Sequence, residues 1–399
     1  MNTRRPFRLT ALFIDFFNSE RSSGALLLLA MFAALLAANG PAQHAIAALL
    51  EARLRLPLPG LDLALIEWIN EGLMAIFFVQ IGLEIEREVY SGELSNLRNA
   101  LLPLLAALGG MVAPALIHLA LNMGTPTQMG FGIPMATDIA IALGVLGLLG
   151  NRVPPAAKVF LAALAIADDI GAMIVIALGY SRGVSLPFLA LALLMFGVMG
   201  LLNFRKVHQM RYYVLPGLLL WYFMLRSGVH TSIAGVMFAF ALPYADGSEA
   251  SPSYQLEHAL NRPVAWVVMP IFAFANSGIV FSQALLPHLF TRNTLGIAAG
   301  LLLGKPLGII SFSLLAIRQG WASLPQSLRK RHLLGLGFLG GIGFTMSTFI
   351  TVLAFGNSQV ADASKIAILA ASAAAGLAGF VLLLRRKPML PRRKRHKQA

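Results

Sequence analysis

Twelve long apolar stretches are the feature that most constrains this chain. A helix that crosses a bilayer needs about 20 predominantly apolar residues. Only 12% of the residues are charged and 57% are hydrophobic, whereas soluble domains are about a quarter charged. We therefore predict an all-α polytopic membrane protein. The expected spans are residues 18–39, 62–83, 100–121, 129–150, 156–180, 186–203, 211–225, 229–243, 262–284, 294–317, 333–355 and 362–384.

The spans predict one integral membrane domain over residues 1–399, with a transmembrane core at about 18–384 and a basic tail at 385–399. The apolar stretch 24–38 has no convincing small-residue cleavage site, so we interpret it as part of the first span rather than a signal peptide. The chain has no cysteine, which excludes disulfides and thiolate metal sites. We expect no cofactor.

The placement of the 31 Lys and Arg residues predicts the orientation. Positive residues concentrate in cytoplasmic loops, and the assignment that gathers most of them on one side puts both termini in the cytoplasm. Lys305 is the exception, because it falls inside a span. The tail is expected to bind anionic lipid headgroups, and nucleic-acid binding is its less favoured alternative.

The first outer loop predicts a β-hairpin. Residues 54–63, from Leu54 to Leu63, alternate apolar side chains around a Pro59-Gly60 turn. A hairpin outside the membrane has unpaired edges that can join a second copy, which favours a homodimer. An irregular loop is the alternative interpretation, and the pattern does not choose between them.

Three aspartates fall deep inside predicted spans: Asp138, Asp168 and Asp169. An acid in the hydrocarbon region is a functional candidate because it is costly to bury, although a structural ion pair is the alternative. Adjacent helical residues diverge by about 100°, so Asp168 and Asp169 should face different partners. Carboxylates bind protons, and oxygen ligands suit hard cations. One site can therefore hold a proton or sodium, and the two compete.

Two spans carry residues that interrupt helices. Pro134 lies four residues before Asp138, with Thr137 between them, and residues 335–346 contain repeated glycines. Proline removes a helical hydrogen bond, and each glycine costs a helix roughly 1 kcal/mol relative to alanine. Paired interrupted helices indicate the central site of a transporter; a simple proline kink and close helix packing are the alternatives. The glycines expected at the second break are Gly340, Gly341 and Gly343.

Two further groups of charged residues are candidates. Lys305 can neutralise one of the acids when the ion is absent, either as a proton carrier or as a structural ion pair. The second group lies at the cytoplasmic ends of two spans and could sense pH, since histidine titrates near neutral pH; an ordinary solvated loop face is favoured over a sensor. It comprises Glu84, Arg87, Glu88, Glu257 and His258.

Several long motifs resemble the NhaA family of bacterial sodium/proton antiporters, in the right order along nearly the whole chain. They are NEGLMA at 70–75, IGLE at 81–84, PMATDIA at 134–140, AIADDIG at 165–171, SGVH at 227–230, FAFAN at 272–276, GKPLG at 304–308 and GGIGFTMS at 340–347. This family is itself one of the examples behind the rule on paired interrupted helices.

The resemblance implies twelve helices, inverted repeats of spans 3–5 and 10–12, and two discontinuous crossed helices. It implies sodium or lithium binding at Asp168 and Asp169, with Asp138, Thr137 and Lys305 nearby. It further implies electrogenic exchange activated at alkaline pH, a homodimer joined through the hairpin, and residence in the bacterial inner membrane. It assigns pH sensing to the group at Glu84, Arg87, Glu88, Glu257 and His258, and a modulating role to His230.

Two positions depart from the family pattern. Glu71 stands where the family has Asp, and Glu86 stands where it often has Lys. The second change adds negative charge to the proposed sensor, which leaves the pH of activation open.

Two other functions compete with antiport. An intramembrane aspartyl protease would bring Asp138 and Asp168 together to activate water, but it would leave Asp169 and Lys305 without a role. A carrier that moves an organic anion with sodium would need a cationic pocket deep in the membrane, and only Lys305 is available there.

Overall fold

The structure is a computed structural model that describes residues 11–384 except 182, 245–246, 248 and 326. The predicted basic tail, 385–399, lies outside the described residues. The helices are α1 Ala11–Ala38, α2 Gln43–Glu51, α3 Leu65–Trp68, α4 Met74–Tyr90, α5 Leu97–Asn122, α6 Ile139–Leu148, α7 Pro155–Gly179, α8 Leu186–Phe204, α9 Arg211–Ser227, α10 Thr231–Ala241, α11 Pro252–Pro263, α12 Met269–Asn276, α13 Arg292–Ala299, α14 Lys305–Arg318, α15 Lys330–Gly340, α16 Phe344–Phe355 and α17 Gln359–Leu384.

The predicted helical membrane architecture is confirmed in its coarse form. Six helices of the described chain are long and apolar enough to cross a membrane, and nine spans result if each sharply bent pair is one span. Each predicted span overlaps helix, but the ninth was drawn too long, because α12 ends at Asn276. The following segment is held instead by Asn39, whose amide binds the backbone of Ile279 and Phe281 at 2.8 Å each.

Helix α2 was not predicted. It follows α1 after a break at Gly40 and Pro41 and is bent 110° from it. Proline cannot continue the hydrogen bonding of the preceding helix, so α1 ends at Ala38. The new helix buries no side chain.

The predicted hairpin is present. Strand β1, Arg53–Arg55, pairs antiparallel with β2, Asp62–Ala64, with Leu54 opposite Leu63. Gly60 in the turn has φ +86°, and a β-carbon there would overlap the side chain of Arg226. The turn therefore favours glycine for its conformation, and a larger residue would also displace the Arg226 side chain.

In the part of the chain that the structure describes, three π-helical turns interrupt the long helices, at Ile69–Leu73, Val264–Val268 and Gly300–Gly304. They lead directly into α4, α12 and α14. A π turn holds an extra residue and commonly occurs at functional sites. The third turn places Lys305 at the first position of α14.

Helices α5 and α14 touch backbone to backbone. A β-carbon on Gly308 would overlap the carbonyl oxygen of Gly109, and one on Gly109 would overlap the carbonyl of Gly308. Small residues allow such close approach between membrane helices. This contact fixes α14, and with it Lys305, against α5.

Candidate ion-binding site

Two interrupted helices meet at the centre of the protein. The first consists of a 3₁₀ segment, Pro126–Met135, followed by α6 at 41° to it, and the second consists of α15 and α16 at 45°. The breaks are bonded to each other, since the backbone N–H of Asp138 donates to the carbonyl of Ile342 at 2.6 Å. Irregular backbone at membrane depth is tolerated only where protein or a water-filled cavity surrounds it.

The glycines of residues 335–346 have two different structural roles. Gly341 and Gly343 lie in or beside the break, and the N–H of Gly343 donates to Ser372 at 3.2 Å. Gly335 and Gly337 remain inside α15, where they pack closely against Leu383 and Pro306. The sequence offered interruption and close packing as alternatives, and both occur in different parts of the segment.

Asp138 bonds the N-terminal turns of α6 and α16, the second halves of the two interrupted helices. It is the N-cap of α6, accepting from the N–H of Ile141 at 3.1 Å. Its other oxygen accepts from the N–H and hydroxyl of Thr345, at 3.1 and 2.5 Å, in the first turn of α16. The N-terminal ends of helices carry partial positive charge, so the carboxylate is stabilised where it is fully buried.

Asp168 is paired with Lys305. Both side chains are completely buried, and the ammonium of Lys305 bonds Asp168 Oδ2 directly. The Lys305 Nζ also donates to the Thr137 hydroxyl at 2.7 Å. That hydroxyl lies 2.6 Å from Asp168 Oδ2 and 2.8 Å from the carbonyl of Gly340, and its single proton serves one acceptor at a time.

The positive charge of Lys305 also lies near the C-terminal end of α15, because Thr137 connects it to the Gly340 carbonyl. The ends of helices that expose carbonyls carry partial negative charge. The two breaks thus place Asp138 at helix N-termini and Lys305 near a C-terminus, each opposite the partial charge that stabilises it.

Asp169 points elsewhere, as its neighbouring position on α7 requires. Together with Asp138 and Thr137, it lines a cavity of about 110 Å³ between α1, α4 and the π turn before α12. Its Oδ1 is buried and has no hydrogen-bond partner among the described atoms. Glu84 lines the same cavity, so the cavity extends from α4 to the crossing.

The candidate sensor residues form a cluster around Arg87. Its guanidinium lies 2.9 Å from Glu257, 3.4 Å from Glu88 and 3.8 Å from Glu84. Burial raises the pKa of Glu257 to about 7, although Arg87 opposes the rise. Since Glu84 also lines the Asp169 cavity, the cluster and that cavity share a residue.

The two candidate histidines have other partners. His258 stacks on Tyr254 at 3.9 Å and bonds the Tyr254 carbonyl at 3.0 Å. His230 caps α10 and lies 3.6 Å from Glu71, near the first π turn. Its ring meets Phe349 edge to face at 5.3 Å.

The structure adds residues that were not proposed as site residues. Thr345 binds Asp138, and Glu86, noted only as a departure, is buried and accepts a 2.6 Å hydrogen bond from Ser253. Within the described part of the chain, no three His, Asp or Glu side chains gather closely enough to hold a metal ion. A cation here would combine carboxylates with the Thr137 hydroxyl and backbone carbonyls.

The helices and the buried charges at two interrupted segments define a class: membrane-embedded secondary transporters. The sequence profile of the family described as Na+/H+ antiporter 1 matches residues 14–383. The chain belongs to this family.

Individual relatives match at similar length. The Na(+)/H(+) antiporter NhaA of Dechloromonas aromatica (strain RCB) is 52% identical, over 94% of this chain and 96% of its own length. The Na(+)/H(+) antiporter NhaA 1 of Flavobacterium johnsoniae is 49% identical, over 94% and 97%. The Na(+)/H(+) antiporter NhaA of Aliivibrio fischeri (strain MJ11) is 45% identical, over 92% and 96%.

Proposed function

We propose that this protein exports sodium, or lithium, in exchange for protons across the bacterial inner membrane. The observation that supports this most directly is the buried Asp169 carboxylate, which lines a cavity and has an oxygen without a described hydrogen-bond partner. A carboxylate in that position takes up a proton or a hard cation, and membership of the antiporter family agrees with this chemistry. The family also points away from the protease alternative.

The exchange cycle follows from competition at one site. Sodium enters the cavity and binds deprotonated Asp169 together with Asp168, with Thr137 and backbone carbonyls supplying neutral oxygens. Lys305 gives up its pairing with Asp168 as the cation arrives. A rocking motion around the crossing then exposes the site to the other side, where protons replace sodium. The cycle is electrogenic, because more protons enter than sodium ions leave, and it needs no resident cofactor.

The proposal includes an arrangement of the chain in the membrane. The chain forms a single domain with twelve crossings, inverted repeats of spans 3–5 and 10–12, and both termini in the cytoplasm. The Asp169 cavity then opens to the cytoplasm, since it reaches Glu84 near the end of α4. The hairpin lies on the opposite face, where its open strand edges join a second copy. The basic tail binds anionic lipids.

Regulation by pH is assigned to the Arg87 cluster. The pKa of Glu257, raised to about 7 by burial, makes its carboxyl change charge within the physiological range. Its ionisation at alkaline pH strengthens the 2.9 Å pair with Arg87 and changes the field at Glu84 on the cavity wall. His230 modulates the response from its separate position beside Glu71.

The test is sodium-induced proton movement in everted membrane vesicles, followed with a pH-sensitive dye from about pH 6.5 to 8.5, the range in which shifted carboxyls titrate. We expect Asp169→Asn and Asp168→Asn to abolish exchange. Glu249→Gln is the matched control, because it removes one negative charge at an exposed loop position. Exchange that survives in both aspartate variants would refute the proposal, and cleavage of a membrane peptide would favour the protease.

A further inference from the structure

A glutamine on the wall of the Asp169 cavity has no part in the site described above. Gln80 lies in α4, is 8% exposed and lines the same cavity of about 110 Å³ as Asp169. Its amide oxygen, Oε1, is buried and accepts no hydrogen bond from the described residues. Burying an oxygen without a partner is unfavourable. The position of this oxygen therefore needs an explanation, and a ligand that enters the cavity supplies one.

The packing of α4 explains why Gln80 faces the cavity. On another side of this helix, Gly82 approaches α10 so closely that a β-carbon would overlap Ala239. Helical residues two positions apart differ by about 200° in direction, so Gln80 lies nearly opposite this contact. Glu84 follows one turn later on the same face and lines the cavity too. Gln80 is thus held on the cavity face, one turn farther than Glu84 from the Arg87 cluster.

The charged groups on this wall are acids. Glu84, Asp138 and Asp169 line the cavity together with Gln80, and Asp169 Oδ1 is also buried without a hydrogen-bond partner among the described atoms. An ionised carboxylate accepts hydrogen bonds and cannot donate one, so these acids do not satisfy the amide oxygen. A cation bonds amide and carboxylate oxygens at once. Because the cavity holds only a few water molecules, a sodium ion inside it exchanges part of its hydration shell for oxygens of the wall.

We propose that Gln80 Oε1 is a neutral ligand of the sodium ion in the Asp169 cavity. This inference rests on the proposed antiport function. Amide oxygens are common ligands of hard cations, and a glutamine neither gains nor loses a proton in the physiological range. Asp169 binds either competitor, whereas the Gln80 amide strengthens the binding of sodium alone. Gln80 thus shifts the competition toward sodium and leaves proton binding unchanged.

The test measures the half-saturating sodium concentration in everted vesicles across the pH range used above. Gln80→Met removes the amide oxygen and keeps the length of the side chain. The half-saturating concentration should rise about three- to tenfold, the effect of losing one polar contact from a neutral group. The factor should be the same at each pH, because competition from protons at Asp169 is unchanged.

Leu27→Met is the matched control. Leu27 lines the same cavity, so this variant places the same new side chain in the wall without removing an oxygen, and it should leave the half-saturating concentration unchanged. Gln80→Leu removes the same oxygen and answers the question if Gln80→Met does not fold.

Thermal unfolding separates a ligand from a structural residue. Without sodium, the midpoint of Gln80→Met should equal or exceed that of the unaltered protein, since the variant no longer buries an unpartnered oxygen. Added sodium should raise the midpoint less in the variant, because a weaker ligand stabilises the native state less at the same concentration.

An unchanged half-saturating concentration in Gln80→Met and Gln80→Leu, or an equal rise in Leu27→Met, overturns this inference alone. A rise confined to acid pH also overturns it, since Gln80 would then act on proton binding. Failure of the unaltered protein to exchange sodium for protons overturns the proposed function, and this inference with it.

Discussion

The pairing of Lys305 with Asp168 predicts a large effect on stability that a second substitution should reverse. Both side chains are 0% exposed, and Asp168 Oδ1 has no hydrogen-bond partner among the described atoms. Replacing Lys305 by Met leaves the carboxylate buried without its cation. Removing one partner of a buried pair costs about 3–5 kcal/mol. The double variant Lys305→Met with Asp168→Asn removes both charges and should recover much of that loss.

The measurement is the thermal midpoint of the detergent-solubilised protein. At roughly 2 °C per kcal/mol, the lower end for large domains, Lys305→Met should lower the midpoint by about 6–10 °C. The matched control is Lys330→Met at the exposed start of α15, which should change stability by no more than about 0.5 kcal/mol.

The double variant tests whether the two buried charges compensate each other. Its midpoint should lie above that of Lys305→Met, because the buried charge that remains in the single variant is absent. Losses that simply add in the double variant would show that the two residues do not compensate each other. If the thermal midpoint of Lys305→Met lay within about 2 °C of that of the unaltered protein, the buried pair would not be a stabilising contact.

Three other outcomes are expected. Burial raises the pKa of Glu257 from an ordinary value of about 4.5 to about 7, so the native state holds the proton more tightly than the unfolded chain. The contribution of this group to stability therefore falls as the pH rises from about 4.5 to 7. Glu257→Gln should reduce the difference in thermal midpoint measured between those two pH values. Gly308→Ala should destabilise the protein by about 1–3 kcal/mol, because the new β-carbon meets the backbone of α5. The control is Gly144→Ala in α6, which has open space around it. That variant should stabilise the protein by about 0.5–1 kcal/mol in the same thermal assay. Thr345→Val removes the 2.5 Å hydrogen bond from the Thr345 hydroxyl to Asp138 and should lower stability by about 1–3 kcal/mol. Exchange followed with the dye should also be slower. An unchanged rate and an unchanged thermal midpoint would contradict a role for Thr345 in holding Asp138.

The sequence predicted the broad features because they depend on local composition. Apolar length located the spans, and the Pro59-Gly60 turn located the hairpin. Pro134 and the glycines at 341 and 343 indicated the breaks. The adjacent aspartates predicted divergence, but which one meets Lys305 depends on the rotation of α7 against α14, and no local pattern specifies that rotation.

Other features were missed. The π turn at Gly300–Gly304 was not predicted, although Pro306 just after it cannot donate to the carbonyl of Leu302 as an ordinary helix would require. Helix α2 was missed because its nine residues are too few to resemble a span. The bond between Thr345 and Asp138 joins residues 207 positions apart, so only the tertiary structure brings them together.

The contact at Gly109 and Gly308 has a consequence for how the protein moves. Where two main chains meet with no room for a methyl group, there are no side chains that bend or repack to absorb a displacement. At that contact a displacement of α14 therefore presses directly on the backbone of α5. Lys305 lies one turn from Gly308, so a movement of α14 that keeps this contact carries the backbone of Lys305 along with α5.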